Sequence, residues 1–569
     1  MRILLIATAF NSLTQRVHTE LRERGHQVAV QLALGDEQMR EAVARVDPEL
    51  IVCPMLTKAV PADIWSTRTV LIVHPGPKGD RGPSSLDWAI TESARHWGVT
   101  VLQAVEEMDA GDIWACVEFP VPDRGKSELY RGEVADAAVE AVLLAVQRYE
   151  GGLFTPEPLD YARPDVRGEL RPLLRQETRR IDWQQDDTAT VLRKLRAADS
   201  QPGVLDELYG QEFFLHGGHP EDELRGPEPG AVLATRDGAI CRATVDGAVW
   251  IPQLRPRRTP GGPVTFKLPA ATVLADELHR VREVPVTPEQ AARRDTWSEL
   301  RYHEDGEVGF LEFAYAGGAM GTEQCRRLLA AYRAAADRPT SVLVLGAPRD
   351  FYSNGIHLNV IEGSAFPALE SWENINAMDD LVEAVLTTDD KLTVAALAGN
   401  AAAGGLMLAL AADEVWCRES AVLNPHYRLM GLYGSEYWTY TLPARVGAEQ
   451  AERLTTEALP VGAAHARRIG LVDRTAGGDA AEFRRWTARE AARLAGSPEL
   501  TGRLVDKKRR RAEDEEAKPL AAYRAEELRR MHGNFYRAGE PYHALRRDFV
   551  RKACPAATPE HLTGLLGRP

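Results

Sequence analysis

The sequence predicts an α/β protein in which two sheet-forming regions flank a smaller region rich in β-strands. Residues 1–150 and the region from residue 296 onward each alternate short apolar runs with polar helical segments. That alternation is typical of parallel sheets covered by helices. Between these regions, residues 231–254 alternate apolar and polar side chains around turn signals, which indicates short strands. A chain of 569 residues is long enough for three or four domains.

The first domain is predicted over residues 1–165. Its predicted strands lie at 3–7, 28–32, 50–53 and 69–73, with helices at 14–24 and 38–46 between them. Ligands of such sheets bind beyond the carboxyl ends of the strands. His74 directly follows the fourth predicted strand, so we expect a site there. Residues 150–170 are rich in Pro, Gly and charge, which indicates a linker.

Two further domains are predicted, a β-rich middle domain over 171–285 and an α/β domain over 295–569 that ends in a helical tail. The middle domain should begin with a helix over 177–196. In the last domain, strands are predicted at 309–313 and 342–346 with a helix at 322–336 between them, and a charged helical tail covers 500–552. The basic run at 507–511 is interpreted as one solvated helix face, and contact with nucleotide phosphates is the alternative.

Composition argues against several classes of protein. The net charge of −14 argues against nucleic acid as a main partner, because phosphate binding needs a basic surface. The six cysteines are scattered without CxxC spacing, so neither a zinc site nor a disulfide framework is predicted, and a reducing cytoplasm is expected. The uncharged stretch 394–412 is interpreted as buried rather than membrane-spanning, because it is rich in Ala and Gly and ends in two acidic residues.

A first pair of motifs carries acid–base chemistry. His-Pro-Gly at 74–76 is followed by Asp-Ala-Gly-Asp at 109–112. A neutral histidine beside a carboxylate acts as a general base or acid, while the carboxylate holds its tautomer. Taken singly, His74 is equally well a strand-end cap and Asp109 a turn residue, so the prediction depends on the pair.

These residues together resemble the folate-dependent formyltransferases, in which an Asn-x-His-Pro motif precedes a Leu-Asp-x-Gly segment. The resemblance implies a Rossmann-like domain, His74 and Asp109 as catalytic residues, and 10-formyltetrahydrofolate as the formyl donor. Residues 178–203 also resemble the segment that follows the catalytic domain in methionyl-tRNA formyltransferases. The resemblance further implies that four consecutive residues wall the folate pocket: Cys53, Pro54, Met55 and Leu56.

One position departs from that family. Its asparagine, which normally hydrogen-bonds the formyl oxygen, is replaced by Ile72 at the folate site. Loss of one such donor typically costs about 3–4 kcal/mol of transition-state stabilisation. Either another donor serves, or the acceptor of the formyl group is unusual.

A second pair of motifs, Tyr-Ser-Asn-Gly-Ile at 352–356 and Gly-Asn-Ala-Ala-Ala-Gly-Gly at 399–405, resembles the crotonase (enoyl-CoA hydratase/isomerase) superfamily. The resemblance implies a crotonase-like fold that binds coenzyme A, with the backbone N–H groups of Ile356 and Gly404 around a thioester oxygen. A glycine-rich helix start alone is weak support, but the two segments together are specific.

The two glutamates of the hydratases are absent from this pair of motifs. Met407 and Tyr427 stand at the matching positions, and methionine cannot transfer a proton, so hydration is not expected. Tyr427 is the predicted acid–base or hydrogen-bonding group, with a buried structural tyrosine as the alternative. Glu436 is a candidate assistant, as is His426, although ordinary loop positions explain both. His357 replaces a frequent family aspartate and receives no role.

The combination identifies the chain as resembling the HypX (HoxX) family of nickel–iron hydrogenase maturation factors. The supporting stretches are 10–16, 74–85, 352–359, Tyr427 and the tail over 518–550. The resemblance implies a bifunctional enzyme that transfers the formyl group from 10-formyltetrahydrofolate to coenzyme A and then decarbonylates formyl-CoA to CO. It also implies small-molecule substrates and hydrogenase maturation proteins as partners, and neither nucleic acid nor membrane.

Two other functions remain open at this point. One is a formyltransferase that acts on a small-metabolite amine and uses its crotonase half to bind an acyl-CoA. The other is a noncatalytic scaffold for maturation, which the replacements at Ile72 and Met407 keep in consideration.

Overall fold

The computed structural model describes residues 1–348 and 350–569, which form two compact units. The first unit comprises Met1–Gly218, Thr244–Asp246 and Cys554–Pro569, and the second comprises His219–Ala243 and Gly247–Ala553. Each unit holds a six-stranded, mostly parallel sheet with helices, so the predicted α/β fold class is confirmed. The predicted domain boundaries stay a prediction.

The sheet of the first unit places the carboxyl end of its fourth strand at the candidate site. Its strands are β1 (Arg2–Ala7), β2 (Gln27–Leu32), β3 (Leu50–Cys53), β4 (Val70–His74), β5 (His96–Gln103) and β6 (Ile113–Pro120). Their order is β2-β1-β3-β4-β5-β6, with the first four strands parallel and β5 and β6 antiparallel. The predicted strands are therefore confirmed, and β4 extends one residue further to include His74.

The helices of the first unit bury their apolar faces, several of them against the strands of this sheet. They are α1 (Ser12–Glu23), α2 (Asp36–Val46), α3 (Ala62–Trp65), α4 (Ser85–Thr91), α5 (Lys126–Leu129), the π turn Tyr130–Val134, α6 (Ala135–Gly151), α7 (Gln176–Arg179) and α8 (Thr188–Ala198). A hairpin of β7 (Val204–Leu208) and β8 (Gln211–His216) follows. The single helix predicted over 177–196 is wrong, because Asp187 caps a new helix by accepting from the Thr190 N–H at 2.8 Å.

The second unit begins with a small antiparallel sheet. Its strands β9 (His219–Glu221), β10 (Val232–Arg236), β11 (Ala239–Ala243) and β12 (Ala248–Ile251) pair in the order β10-β11-β12-β9. They are followed by β13 (Gln253–Pro256), β14 (Leu268–Pro269), α9 (Ala270–Val273) and α10 (Pro288–Ala291). The strands predicted from the alternation over 231–254 are confirmed.

The large sheet of the second unit has the order β15-β16-β17-β18-β20-β23, antiparallel only at its first pair. The strands are β15 (Leu300–Asp305), β16 (Val308–Phe313), β17 (Val342–Gly346), β18 (Leu392–Leu397), β19 (Ala401–Ala402), β20 (Glu414–Arg418), β21 (Val422–Asn424), β22 (Val461–Gly462) and β23 (Arg474–Ala476). Strands β19, β21 and β22 form a separate three-stranded sheet. The strands predicted at 309–313 and 342–346 are confirmed.

The later helices of the second unit include some that pack on either face of the large sheet. They are α11 (Thr322–Ala336), α12 (Leu358–Gly363), α13 (Pro367–Thr387), α14 (Gly404–Leu410), α15 (Trp438–Val446), α16 (Ala448–Glu457), α17 (Ala463–Arg468), α18 (Ala480–Ala495), α19 (Leu500–Ala517), α20 (Leu520–Tyr536) and α21 (Tyr542–Val550), with short 3₁₀ turns at Ala316–Gly318 and Arg428–Met430. The predicted helix at 322–336 and the helical tail are confirmed. In the basic run of that tail, Lys507 is buried and donates to the Asp413 carboxylate at 2.6 Å, whereas residues 508–510 are exposed.

The uncharged stretch 394–412 covers the end of β18, strand β19 and α14, and its helix is fully buried in the core of the second unit. Among the described residues, no helix combines the length and the apolar character that crossing a membrane requires. After α21 the chain returns to the first unit, where α22 (Glu560–Thr563) and Leu566 pack against the edge strand β2.

Candidate active site

The first candidate site is centred on His74, the last residue of β4. Its Nε2 lies 2.8 Å from Asp80 Oδ2, and its Nδ1 lies 3.5 Å from Asp109 Oδ2. The structure therefore brings the predicted His74–Asp109 pair together and adds Asp80, which the sequence analysis missed. The contact with Asp80 depends on the turn of the loop that follows β4, and a sequence motif does not reveal that turn.

Hydrogen bonds to the backbone hold this loop in place. The Pro75 carbonyl accepts from the Ser85 hydroxyl at 2.6 Å and from the Trp97 indole N–H at 2.9 Å. The Gly76 carbonyl accepts from the Thr100 hydroxyl at 2.8 Å. A Cβ atom at Gly76 would overlap Asp80 Oδ2, so only glycine leaves room for the carboxylate to reach the imidazole.

The segment predicted as a linker packs on the same loop. The Gly168 N–H donates to the Lys78 carbonyl at 2.9 Å, and the Tyr161 hydroxyl donates to the Gly79 carbonyl at 3.0 Å. Further along, Arg171 Nε lies 3.7 Å from Asp80 Oδ1. Tyr161, Gly168 and Arg171 therefore pack around this loop, and Arg171 brings a cation close to its buried carboxylate.

Asp109 lies in a tight turn. Its φ of +56° falls in the left-handed region, which non-glycine residues rarely adopt and which is often found at functional sites. Its Oδ2 is 3.4 Å from the Gly82 nitrogen. The side chain of Asp109 is 12% exposed, whereas that of Asp80 is fully buried. The open side of the imidazole is therefore the Asp109 side.

The residues predicted to wall a folate pocket form an apolar shelf beside β4. Cys53 and Pro54 are buried, whereas Met55 and Leu56 are half-buried. Ile72 and Leu56 pack against the apolar cluster that contains Cys53. Burial raises the pKa of the Cys53 thiol, so that side chain acts as a neutral apolar surface. The folate-binding role of these residues stays a prediction.

The second candidate site contains the two predicted oxyanion donors. Ile356 follows Gly355, whose φ is +77°, and a Cβ atom on Gly355 would lie 3.2 Å from the Gly404 nitrogen. Glycine at 355 therefore lets the two segments approach closely. Gly404 is the first residue of α14, where backbone N–H groups have no partner within the helix. Such N–H groups are suited to stabilise a developing oxyanion.

Two side chains fix the position of the Ile356 segment. Asn374 accepts from the His357 N–H at 3.0 Å and donates to the Met320 carbonyl at 2.9 Å. The His357 Nδ1 accepts from the Val360 N–H at 3.3 Å and caps α12. Burial lowers the pKa of His357 to about 4, so the ring is a neutral cap.

Tyr427 and Glu436 meet beside Gly404. The Tyr427 hydroxyl lies 2.8 Å from Glu436 Oε2 and 3.1 Å from the Ser435 carbonyl oxygen. A Cβ atom at Gly404 would overlap Glu436 Oε1, so the carboxyl group lies directly at the start of α14. The structure thus brings together Tyr427, Glu436 and Gly404 from three separate segments.

Two further buried carboxyl groups, which the sequence analysis missed, support Glu436. Asp379 accepts from the Glu436 N–H at 2.8 Å and from the Ser435 hydroxyl. Glu527 accepts from the Tyr437 N–H at 2.9 Å. These bonds hold Glu436 and Tyr437 in left-handed conformations, with φ of +59° and +58°.

The crowding of buried carboxyl groups changes their acidity. Burial, followed by the neighbouring Asp379, raises the pKa of Glu436 to about 8. Burial and Glu527 raise the pKa of Asp379 to about 7, and burial raises that of Glu527 to about 7. Burial, followed by Glu436, raises the pKa of Tyr427 well above its usual range. The site therefore holds exchangeable protons at neutral pH.

Two other sequence candidates, Met407 and His426, are also buried. Met407 is fully buried in the apolar core between Leu406 and Leu408, so the position of the first hydratase glutamate carries no polar group. His426 is buried next to Tyr427 in the chain.

Three protein families match successive regions of the chain. The formyl transferase family matches residues 30–146, the formyl transferase C-terminal domain matches 173–261, and the enoyl-CoA hydratase/isomerase family matches 319–538. A methionyl-tRNA formyltransferase from Desulfotalea psychrophila is 29% identical over 227 residues, which is 39% of this chain and 68% of that protein.

Two relatives cover nearly the whole chain. The hydrogenase maturation factor HoxX from Bradyrhizobium diazoefficiens is 48% identical over 565 residues, which is 99% of this chain and 97% of that protein. The crystal structure of HypX from Aquifex aeolicus, in complex with tetrahydrofolic acid, superposes with a TM-score of 0.95 at 44% identity and covers 99% of this chain and 98% of its own. The chain therefore belongs to the HypX/HoxX family of hydrogenase maturation factors.

Proposed function

We propose that this chain makes carbon monoxide from the formyl group of 10-formyltetrahydrofolate in two reactions, one at each candidate site. The first transfers the formyl group to the thiol of coenzyme A, and the second splits formyl-CoA into CO and free coenzyme A. The observation that carries the proposal is the Tyr427–Glu436 pair beside Gly404, which supplies a proton carrier at an oxyanion site without the hydratase glutamates.

The first reaction uses the His74 site. The coenzyme A sulfur attacks the formyl carbon, His74 takes the thiol proton, and the C–N bond to folate breaks as the folate nitrogen receives a proton. The position of His74 at the carboxyl end of β4 supports this role. The apolar shelf around Cys53 and Ile72 offers a surface for the flat pterin ring. Ile72 supplies no amide donor, so the formyl oxygen relies on other N–H groups.

The second reaction uses the Glu436 site. The Ile356 and Gly404 N–H groups hold the thioester oxygen of formyl-CoA, and Glu436 accepts the formyl proton as the C–S bond breaks. CO leaves, and the same proton returns to the thiolate sulfur. A carboxyl pKa of about 8 suits both steps, because a thiol has a pKa of about 8.5. Tyr427 holds the carboxyl group in position.

This chemistry explains why the hydratase pattern is lost. Hydration requires groups that activate a water molecule, whereas decarbonylation adds no water. Met407 at one hydratase position is a core residue, and the remaining proton transfer needs only one carrier. The relatives supply further support, because one is a hydrogenase maturation factor and another binds tetrahydrofolic acid. Hydrogenase maturation proteins are accordingly the proposed partners.

The test is to incubate the purified chain with 10-formyltetrahydrofolate and coenzyme A and to trap CO with a ferrous haem protein. We expect CO in equal amount to tetrahydrofolate, and no CO when coenzyme A is omitted. Formate as the sole one-carbon product would refute decarbonylation. Formylation of a small amine in place of coenzyme A would favour the metabolite formyltransferase, and tight ligand binding without turnover would favour a scaffold.

A further inference from the structure

His74 has a carboxyl group at each of its ring nitrogens. The Nε2–Asp80 distance of 2.8 Å is a full hydrogen bond, whereas the Nδ1–Asp109 distance of 3.5 Å is beyond ordinary hydrogen-bond length. A neutral imidazole carries a single N–H. The geometry therefore favours the tautomer in which Nε2–H donates to Asp80 and Nδ1 keeps a free lone pair.

The two carboxyl groups also differ in access. Asp80 is fully buried behind the ring, with Arg171 Nε at 3.7 Å from its second oxygen. Asp109 retains 12% exposure. Substrates consequently reach the imidazole from its Nδ1 side, where the free lone pair lies.

We propose that Asp80 is the positioning residue that fixes the tautomer of His74, so that Nδ1 is the base for formyl transfer. This inference rests on the proposed first reaction. As the C–S bond forms, the thiol proton moves to Nδ1, and the Asp80 carboxylate stabilises the resulting imidazolium ion. The proton then passes to the folate nitrogen as its bond to the formyl carbon breaks. Asp109 then does not fix the tautomer of His74, and its carboxylate faces the reacting groups.

The fold of the loop does not depend on Asp80 alone. The carbonyl groups of Pro75 and Gly76 are held by side chains from outside the loop, and the Gly168 N–H holds that of Lys78. Replacing Asp80 by asparagine should therefore leave the loop in place while removing the charge beside Nε2. Because the amide still accepts a hydrogen bond, the change isolates the electrostatic contribution.

The direct test is the ¹⁵N NMR spectrum of the full chain with labelled histidine, and its His74 resonances are identified by their loss in His74→Gln. We expect a protonated Nε2 and an unprotonated Nδ1 at pH 8, and a larger share of the Nδ1–H tautomer in Asp80→Asn. A protonated Nδ1 in the unaltered chain, or an unchanged tautomer ratio in Asp80→Asn, would overturn the proposal. This measurement needs neither folate nor coenzyme A, so it stands apart from the proposed function.

Kinetics provide a second readout. In Asp80→Asn, kcat for formyl transfer should fall about 10²- to 10⁴-fold with little change in KM for 10-formyltetrahydrofolate, because the imidazolium ion loses the carboxylate that stabilises it. The control is Asp63→Asn, which removes a carboxylate that binds Arg40 at 2.8 Å and lies on α3 of the same unit. It should keep the parental kcat and KM. A raised KM with an unchanged kcat would reduce Asp80 to a structural role and overturn the proposal.

Discussion

Carboxyl groups line both candidate sites, but their surroundings differ. In the first site, Asp80 has the His74 imidazole at 2.8 Å and the Arg171 guanidinium at 3.7 Å, so cationic or potentially cationic groups surround it. In the second site, Glu436 has Tyr427 and the backbone N–H of Ser435 as partners, and Asp379 is a further carboxyl group close by.

This difference separates two ways of handling a proton. A carboxylate beside an imidazole stabilises the protonated ring, which suits a histidine base that takes a proton and passes it on. A carboxyl group buried among other carboxyl groups holds its proton at neutral pH and becomes a stronger base when it is ionised. The first arrangement suits transfer from a thiol, and the second suits removal of a proton bound to carbon.

The largest effect is expected from His74→Ala. Removing the imidazole takes away the base of the first reaction, so formyl transfer should fall by about 10³-fold or more and CO production from folate should fall equally. Formyl-CoA supplied directly should still yield CO at the parental rate, which places the defect in the first unit. Mass spectrometry of formyl-CoA and the haem trap measure the two steps. His96→Ala, at an exposed position in the same unit, is the control.

Formyl transfer at the parental rate in His74→Ala would contradict the assignment of His74 as the base of the first reaction. Loss of CO from supplied formyl-CoA would show that the two sites are not independent, and the comparison between them would then need revision.

The second-largest effect is expected from Glu436→Gln and concerns the release of CO. The amide keeps the shape but carries no proton between carbon and sulfur, so CO release should fall about 10²- to 10³-fold while formyl-CoA accumulates. Tyr427→Phe should show the same pattern less strongly, because its hydroxyl only positions Glu436. Tyr437→Phe is a matched control, since this buried tyrosine bonds Glu383 instead. Unaltered CO output in Glu436→Gln would remove Glu436 from the mechanism.

The sequence predicted the backbone of both sites better than their side-chain surroundings. The pairing of His74 with Asp109 and that of Ile356 with Gly404 were expected because each pair of motifs resembles a known family, and such a resemblance implies the arrangement in space as well as the residues. Asp80 is only six residues from His74 in the chain. It was missed because its contact with His74 depends on the turn of the loop and on the space that Gly76 leaves. Neither feature produces a repeating pattern in the sequence.

Contacts between residues that are far apart in the sequence could not be predicted, for a different reason. Asp379 lies 57 residues from Glu436, and Glu527 lies 90 residues from Tyr437. Asp379 lies in α13 and Glu527 lies in α20. The apolar pattern of such a helix predicts that one face is buried, but it does not predict which loop that face contacts. The helix predicted over 177–196 failed in a similar way, because a capping aspartate at 187 competes with helix continuation.

A smaller effect is expected from Gly404→Ala. A Cβ atom there would overlap Glu436 Oε1 and displace the carboxyl group from the oxyanion site. CO release should fall about 10-fold to 10²-fold, with formyl transfer unchanged. Gly502→Ala in α19 is the matched control, because no atom lies within 4 Å of its Cβ position. A Gly404→Ala chain with parental CO release would show that Glu436 is not needed close to α14.

The smallest effect concerns stability and pH. In the folded second unit the pKa of Glu436 is raised to about 8 and those of Asp379 and Glu527 to about 7, from ordinary values near 4. Between these values the folded state binds more protons than the unfolded state. The contribution of the three carboxyl groups to stability is therefore fully present below about pH 4 and falls as the pH rises to about 7–8. We expect Tm to fall by about 2–5 °C between pH 6 and 8.5.

The carboxyl cluster of the second unit should cause this loss, so Glu436→Gln should reduce the slope of Tm against pH. Asp165→Asn in the first unit should leave the slope unchanged, because hydrogen bonds from Lys78 and Arg163 lower the pKa of Asp165 to about 2, well outside the interval. Thermal unfolding at constant ionic strength, followed by circular dichroism, measures both slopes. A parental slope in Glu436→Gln would mean that its proton is not held in the folded state, and the contrast between the two sites would lose its electrostatic basis.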